Sequence, residues 1–425
     1  MVPLKISHPS APWLPERFEP FYRPALLTIL AFYLLNCFSP LRLEYDSVKY
    51  FALKECLEQA CPPGFNPAND PHPYGYPLLL TLLSRIGILH SYTLALVNCC
   101  FLMGSLYFVK ELFQINIRAA HFFLLLLLNW TIIKFFNYPL AEMQYLFFSC
   151  GSLFFFNRYT QHRKIEMLLL ALVLAGLSYI TRTVGITLLA ALLAGLVWEH
   201  RREWSRHKRK IAILALIVLS LLIAGIFFFP DTVFLSRYLQ SLNGTGPGPV
   251  DLLQGHFKEW GQLLLNIPIG KLKGAGQWLF LLTGILLFAW FCYGLFLQRT
   301  TFPFVITIYL VSYCLLIFNW PYFDPRFWIP ILPLVAVVLL QTPLVRARPA
   351  PVASFGRLLF IIYIFAGAGA IGYTTYTAFH KEVLARSQAN GRFRNEYETW
   401  FHGRPLSDTV TPVDPYVLHI LKKYN

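Results

Sequence analysis

Long apolar runs, separated by short polar and basic loops, dominate the chain. The segment 211–229 is typical, because it begins Ile-Ala-Ile-Leu-Ala-Leu-Ile-Val-Leu and stays almost wholly apolar to its end. A helix of this length spans the hydrocarbon core of a bilayer, and the run lacks the alternation of a barrel strand. Backbone groups in lipid must be hydrogen-bonded within the chain, so continuous helices are the structure that these runs predict.

We therefore predict an all-α membrane protein, a polytopic helical bundle of about eleven transmembrane helices. The candidate spans lie near residues 24–42, 92–112, 119–136, 138–157, 165–181, 184–198, 211–229, 277–297, 302–319, 327–345 and 357–377. No small-residue cleavage site follows the first apolar run, so we expect this first helix to be retained.

Basic residues set the expected orientation. Six Lys and Arg residues lie between positions 201 and 210, and cytoplasmic loops carry such an excess of positive charge. The N-terminus is then cytoplasmic and the C-terminus extracytoplasmic. A full crossing by residues 76–90 would invert every later loop, so we expect this segment to lie against the membrane or to re-enter it. The loops 43–75, 136–142, 180–184, 230–276 and 320–326 and the tail 378–425 then face outward.

Composition agrees with a membrane location. Of the 425 residues, 56% are hydrophobic and 13% are charged, which is too little polar surface for a soluble domain. The net charge of +15 is placed mainly in short loops, so it indicates topology, and we expect no nucleic acid as a partner. The predicted location is a bacterial inner (plasma) membrane. The predicted organisation is a transmembrane domain over 1–377, with outer loops at 43–91 and 230–276, and a small extracytoplasmic tail over 378–425.

Cysteine placement also fits an extracytoplasmic first loop. Cys56 and Cys61 both fall in that loop, where an oxidising compartment favours a disulfide between them over two free thiols. The other cysteines lie in apolar runs and are expected to serve as packing residues. They are Cys37, Cys99, Cys100, Cys150, Cys292 and Cys314.

Two acidic residues are candidates for chemistry at the outer ends of helices. Asp46 directly follows the first span, where a partly desolvated carboxylate can serve as a general base. Its simpler alternative is a helix N-cap, a common role for Asp. Glu142 lies at the outer start of a later span, where an acid also complements the helix dipole.

Basic and aromatic residues on the same predicted face are candidates for binding an anionic lipid headgroup. Arg182 and Arg326 each lie at a predicted outer helix end, and a guanidinium binds phosphate oxygens two at a time. Arginine at such a boundary also simply extends to the interface, which is the alternative for both. The remaining candidates are Lys49, Tyr50 and Lys54 behind Asp46, His72 beside Asp70, Tyr322, and more weakly Lys271, Lys273 and Arg237.

Other familiar signatures are missing from the sequence. No His, Cys and carboxylate cluster has the spacing of a structural metal site, so we expect no tightly bound metal or other cofactor, although a weakly bound divalent metal stays compatible with the sequence. There is no phosphate-binding glycine loop, dinucleotide fingerprint or Gly-x-Ser-x-Gly motif.

Four segments together resemble the GT-C glycosyltransferases. They are the acid after helix one with His-Pro-Tyr-Gly-Tyr-Pro-Leu-Leu-Leu at 72–80, Pro-Leu-Ala-Glu-Met at 139–143, Thr-Arg-Thr-Val-Gly at 181–185, and Arg-Phe-Trp-Ile-Pro-Ile-Leu-Pro-Leu at 326–334. In order and spacing they are similar to the branch of protein O-mannosyltransferases and the bacterial aminoarabinose transferase. The chain departs from many members in lacking a large soluble outer domain.

The resemblance implies a GT-C-type bundle with juxtamembrane helices in the first outer loop. It also implies a sugar donor on a polyprenyl phosphate and an extracytoplasmic acceptor, which is a lipid-linked glycan, lipid A, a cell-wall polymer or a protein. Asp46 then matches the family's first-loop catalytic base, Glu142 the second-loop acid, and Arg182 and Arg326 the basic positions near the lipid phosphate. Transfer would invert the anomeric centre. A transporter or flippase for an anionic or polyisoprenoid lipid is the alternative, although such proteins usually place polar groups at the bilayer midplane.

Overall fold

The computed structural model describes residues 19–115, 120–201, 248–300, 302–342 and 350–425, and these ranges contain helices and no β-strand. The first nine helices are α1 (Glu19–Cys37), α2 (Tyr45–Leu57), α3 (Gly75–Arg85), α4 (Ser91–Leu112), α5 (Ala120–Leu127), α6 (Trp130–Phe135), α7 (Glu142–His162), α8 (Ile165–Thr181) and α9 (Ile186–His200). The next eight are α10 (Pro249–Leu265), α11 (Gly276–Leu297), α12 (Phe304–Phe318), α13 (Leu332–Gln341), α14 (Ala350–Phe379), α15 (Lys381–Ser387), α16 (Arg394–His402) and α17 (Pro415–Lys423).

Four helices in the described ranges are long and apolar enough to cross a membrane. They lie at Ser91–Leu112, Thr183–His200, Gly276–Leu297 and Gly356–Phe379, and shorter apolar helices lie at Ile165–Thr181, Phe304–Phe318 and Pro325–Gln341. Their outward faces stay apolar: Trp278 and Leu282 of α11, for example, are well exposed. An exposed apolar face on a long helix is typical of contact with lipid, so the chain is a helical membrane protein.

The described helices do not reach the predicted total of about eleven spans. The predicted span 211–229 and most of the basic stretch 201–210 lie outside the described residues. Several other predicted spans are helices shorter than a bilayer crossing requires, because proline, asparagine or a 3₁₀ turn ends or interrupts them. The clearest case is the predicted span 327–345. Its first residues belong to the 3₁₀ turn Pro325–Ile331, so the α-helix that follows, α13, begins only at Leu332.

The sequence predicts one continuous helix over 119–136, and this prediction is wrong. The chain forms α5 and α6, which separate at Asn129, whose side-chain oxygen accepts the amide hydrogen two residues further on. Asn266 fills the break, because its side chain donates to the Leu128 carbonyl at 2.8 Å and accepts from the Trp130 amide at 2.6 Å. A side chain far along the chain thus replaces backbone bonds that an unbroken helix would make.

Residues 76–90 do not form a crossing helix. Helix α3 has eleven residues, so it is only ~16 Å long, about half the thickness of a hydrocarbon core. Tyr76 and Leu80 are buried, whereas Leu78 and Leu82 on the other side are exposed. A short amphipathic helix of this kind suits a membrane interface, as the sequence predicts.

The C-terminal segment packs against the first outer loop and does not stand apart from it. The Tyr397 hydroxyl accepts from the Leu43 amide at 3.1 Å, and the Gln388 side chain donates to the Leu43 carbonyl at 2.7 Å. Further on, the Tyr424 hydroxyl meets Lys54 Nζ at 2.8 Å, and its ring stacks on Phe51. Residues from the tail therefore hold both the entry to α2 and its last turns.

Cys56 and Cys61 form the predicted disulfide, which links the end of α2 to the following loop. The packing role expected for the other cysteines is only partly correct. Cys37, Cys99, Cys150 and Cys314 are buried, whereas Cys100 and Cys292 are exposed on outward helix faces.

Replacing Tyr424 should loosen the first outer loop. We expect Tyr424→Ala to destabilise the protein by about 3–5 kcal/mol, because it empties an aromatic site and removes a partner from the fully buried Lys54 ammonium. Tyr424→Phe keeps the ring against Phe51 and should lose only about 1–2 kcal/mol. Thermal unfolding in detergent measures both variants, and equal losses would contradict the packing role of the ring.

Candidate functional site

Asp46 lies in the first turn of α2 but does not cap it. The cap is Glu44, which forms a reciprocal capping box with Ser47. The capping alternative for Asp46 is therefore wrong, and its carboxylate is available for contacts outside the helix. Its Oδ1 lies 3.3 Å from His72 Nε2, and its Oδ2 accepts a hydrogen bond from Arg326 Nη2.

His72 reaches Asp46 because a short loop turns its ring toward α2. Asp70 Oδ1 accepts both the His72 backbone amide at 2.8 Å and the Nδ1 hydrogen at 2.6 Å, so one carboxylate fixes the loop and the ring. Three residues later, Gly75 begins α3, and a Cβ there would lie 2.7 Å from backbone atoms of Thr181. This close approach brings the loop beside the end of α8.

The residue that follows α8 is Arg182, and it pairs with the acid that begins α7. Arg182 Nη1 lies 2.7 Å from Glu142 Oε1, and the two side chains are only 15% and 5% exposed. The predicted segments 139–143 and 181–185 therefore meet in a nearly buried ion pair. Because the pair is buried, removing either side chain would leave the other charge buried without its partner, which is strongly destabilising.

Arg326 connects the two halves of the site. Its Nη2 contacts Asp46, its Nε lies 3.1 Å from Asp324 Oδ2, and the same Nε is 3.7 Å from Glu142 Oε1. Asp324 also caps the 3₁₀ turn by accepting the Arg326 amide hydrogen at 3.0 Å. Both guanidinium groups also approach the Phe327 ring, with the Arg326 and Arg182 guanidinium carbons 5.3 and 5.4 Å from its centroid.

Neighbouring charges favour the charged forms of Asp46 and His72 despite burial. Burial alone would raise the pKa of Asp46, but Arg326 and His72 lower that pKa well below its ordinary value. Burial alone would lower the pKa of His72, whereas Asp46 and Asp70 raise it to about 9. Burial raises the pKa of Asp324, although Arg326 lies beside it. With this raised pKa, His72 is an imidazolium at neutral pH, whose Nδ1 donates to Asp70 and whose Nε2 forms an ion pair with Asp46.

Several buried polar atoms in the cluster make no hydrogen bond within the described residues. They are Arg326 Nη1, Arg326 Nε, whose contacts with carboxylates are ion pairs only, and Glu142 Oε2. Buried polar groups are nearly always hydrogen-bonded, so such a concentration requires a partner from outside this set. The guanidinium N–H that lacks a hydrogen bond can donate to an oxyanion. The carboxylate oxygen that lacks one can accept from a hydroxyl group.

The structure brings together six of the nine predicted site residues. Asp46, Glu142, Arg182, Arg326 and His72 form the cluster, and Tyr50 is buried with its ring 5.1 Å from that of His72. Lys49 stands at the edge, with Nζ 3.8 Å from Asp70 Oδ2 and 4.7 Å from the Tyr45 ring.

Two predicted site residues belong elsewhere. Lys54 is bound to Glu58 at 2.7 Å and to Tyr424, so it anchors the tail and is not a headgroup ligand. Tyr322 is 59% exposed and contacts only the Trp320 ring among the contacts described. Of the weaker candidates, Lys271 and Lys273 are exposed, and Arg237 lies outside the described residues.

Sequence reasoning missed Asp70, Asp324 and Phe327 as parts of the site. The signal for the two acids was local: each lies two residues before a candidate cation, the spacing of an Asp that accepts the backbone amide two positions on. Nothing in the sequence indicates that Phe327 contacts two guanidinium groups, because Arg182 comes from a distant segment.

Among the residues that the structure describes, no group of three or more His, Cys, Asp and Glu side chains is arranged to hold a metal ion. The expectation of no tightly bound metal, with a weakly bound divalent metal left open, stays a prediction.

Because of His72, the stability of the protein should decrease as the pH becomes alkaline. Because the pKa of His72 is raised from an unfolded value of about 6.5 to about 9, its contribution is complete below about pH 6.5 and lost as pH rises through about 9. We expect the melting temperature of the wild type to fall over this window and that of His72→Gln to fall less. His380→Gln, at an exposed histidine, is the matched control and should follow the wild type. Parallel curves for all three proteins would contradict the assignment.

No protein-family model, curated protein or solved structure matches the chain.

Proposed function

We propose that the protein is a membrane glycosyltransferase that moves one sugar from a polyprenyl-phosphate donor to an extracytoplasmic acceptor. The observation that carries the proposal is the Asp46–Arg326–Glu142–Arg182 cluster. Its members come from four segments that the sequence singled out as distant parts of one site, and they are linked by ion pairs. Isolated boundary residues that only extended to the interface would have no reason to converge.

An N–H group of Arg326 that makes no hydrogen bond in the described residues supports a phosphate as its ligand. This guanidinium faces Asp46, Asp324 and Glu142, yet its Nη1 makes no hydrogen bond in the described residues. A phosphate oxygen is a strong acceptor for such an N–H, and a second oxygen would compete with Asp46 for Nη2. Donor binding then loosens Asp46 from Arg326. Losing this contact makes the carboxylate a better base when it is needed.

The reaction uses these groups in a single displacement. An acceptor hydroxyl attacks the anomeric carbon, its proton passes to Asp46, and the bond between that carbon and the phosphate oxygen breaks. The polyprenyl phosphate leaves with the bonding electron pair, and attack opposite the leaving group inverts the anomeric centre. Arg326 and Arg182 would stabilise the growing phosphate charge, and Glu142 Oε2, which makes no hydrogen bond in the described residues, would orient the acceptor.

The membrane arrangement in this proposal is a GT-C-type bundle with about eleven crossings. The N-terminus faces the cytoplasm, and the cluster and C-terminal tail face outward, at a bacterial inner membrane. A lipid carrier suits this arrangement, because nucleotide sugars are too polar to cross the bilayer unaided. The donor's tail would stay in lipid while its phosphate reaches Arg326.

Binding to undecaprenyl phosphate tests the proposal directly. We expect the purified protein to retain this lipid in native mass spectrometry and not undecaprenol, which has the same tail without the phosphate. Arg326→Gln should abolish the preference, whereas Arg299→Gln, at an arginine stacked on Phe296 away from the cluster, should preserve it. Equal retention of the two lipids would reject Arg326 as a phosphate site.

A vesicle assay separates this function from lipid transport. Fluorescent undecaprenyl phosphate in reconstituted vesicles is quenched from outside, and an enzyme should leave the inner-leaflet fraction protected. Rapid loss of that protection, unchanged in Asp46→Asn, would favour a flippase instead.

A further inference from the structure

A second polar cluster lies on helix α10 and contacts the segment 320–328, which carries Arg326. His256 is completely buried, and Glu259 is 2% exposed on the same face one turn later. The His256 Nδ1 and Glu259 Oε2 atoms are 2.8 Å apart. The ring is enclosed by aromatic residues, with Phe323 at 5.2 Å and Phe318 at 5.8 Å between centroids.

This pair contacts both ends of the segment 320–328. At the first end, His256 Nε2 lies 2.9 Å from the Trp320 carbonyl oxygen. At the second end, the Trp328 indole N–H donates to Glu259 Oε2 at 2.7 Å. Asp324 and Arg326 lie between these two anchors, so the segment is fastened on either side of the guanidinium.

The hydrogen positions follow from the partners. The Trp320 carbonyl can only accept, so His256 Nε2 carries a hydrogen. Glu259 Oε2 receives the indole hydrogen and also faces Nδ1, so one further proton lies between the imidazole and the carboxyl group. The contact at Trp328 is buried, and the contact at Trp320 is partly buried. Losing either would remove a hydrogen bond from a carbonyl or an indole N–H in a largely apolar setting, which is unfavourable.

We propose that His256 and Glu259 are positioning residues that fix Arg326 against Asp46 and Glu142 by anchoring both ends of the segment 320–328. They do not touch the cluster themselves. Their effect on phosphate binding therefore acts through Arg326, and this part of the inference rests on the proposed function.

Two substitutions at one position separate the contacts. His256→Gln is long enough to place an amide N–H near the former Nε2 and keep the bond to Trp320. His256→Asn is shorter, keeps a polar atom near Nδ1 and releases Trp320. Trp328→Phe keeps an aromatic ring but removes the indole N–H, so it frees the other end of the segment. This variant serves as the test if His256→Asn does not fold.

Two measurements are made on each protein. Hydrogen–deuterium exchange of the peptide 320–328 reports the anchoring without reference to function. Affinity for undecaprenyl phosphate, measured with and without Arg326→Gln, reports whether the effect passes through Arg326.

We expect faster exchange in 320–328 and about tenfold weaker binding for His256→Asn and Trp328→Phe, with His256→Gln close to wild type. The loss of affinity should largely disappear in the Arg326→Gln background, which a general loss of stability would not produce. Unchanged exchange in 320–328, or an undiminished loss in that background, would overturn the inference. If wild-type protein binds no undecaprenyl phosphate, the proposed function fails. Hydrogen–deuterium exchange of 320–328 then tests the anchoring by itself.

Discussion

Asp46→Asn should reduce sugar transfer by about 10²–10⁴-fold, the range associated with loss of a general base. Asparagine has nearly the same shape and still offers an oxygen to Arg326, so a hydrogen bond should replace the ion pair and the helix end should keep its place. Removing one negative charge near Arg326 should leave binding of undecaprenyl phosphate unchanged or tighter. Lost transfer together with retained binding is the pattern that distinguishes a missing base from a damaged phosphate site.

The measurement compares lipid extracts from cells that carry each variant. Mass spectrometry should show polyprenyl-phosphate sugars accumulating with Asp46→Asn as the glycosylated product disappears. Asp251→Asn is the matched control, because Asp251 also lies in the first turn of a helix but is exposed there. Near-normal product with Asp46→Asn would remove this carboxylate from the mechanism.

Breaking the Arg182–Glu142 pair from one side should strongly reduce stability. Arg182→Met leaves the buried Glu142 with Arg326, at 3.7 Å, as its one remaining ion-pair partner among the described residues, and we expect a loss of about 3–5 kcal/mol. Arg182→Met combined with Glu142→Leu removes both charges and should recover most of that loss. Sugar transfer should be absent in the double variant, because it lacks the proposed phosphate ligand Arg182 and the proposed second acid Glu142.

An exposed pair of the same chemistry provides the control. Arg163 and Glu199 are 3.1 Å apart, but the Arg163 side chain is 48% exposed. Arg163→Met should therefore change stability by less than about 1 kcal/mol. Thermal unfolding in one detergent compares the four proteins. A loss for Arg182→Met no larger than that for Arg163→Met would show that burial does not govern the inner pair.

The sequence predicts helices best where apolar runs are continuous. Helix α4 (Ser91–Leu112) and helix α8 (Ile165–Thr181) lie within one residue of their predicted limits. The break at Asn129 could not be predicted, because the bonds that make it possible come from Asn266 on a distant segment. Local pattern thus locates a helix, whereas tertiary partners decide whether it is interrupted.

The same limit applies to the site. Asp46, Tyr50 and Lys54 follow at intervals of one helical turn, which predicts a shared face. Lys54 is, however, ~12 Å along the helix from Asp46, and the residual rotation over two turns carries it toward the tail. The meeting of Asp46 with Arg326 depends on how two loops are supported, which periodicity does not specify.

The tail's contacts with α2 also constrain the order in which the protein becomes complete during synthesis. Lys54 and its partner Tyr424 are separated by 370 positions, an interval that a ribosome needs roughly 20–70 s to translate. The Cys56–Cys61 bond joins residues only five positions apart, so it can close while the later helices are still being made. The disulfide thus holds the end of α2 during the time before Tyr424 has been synthesised.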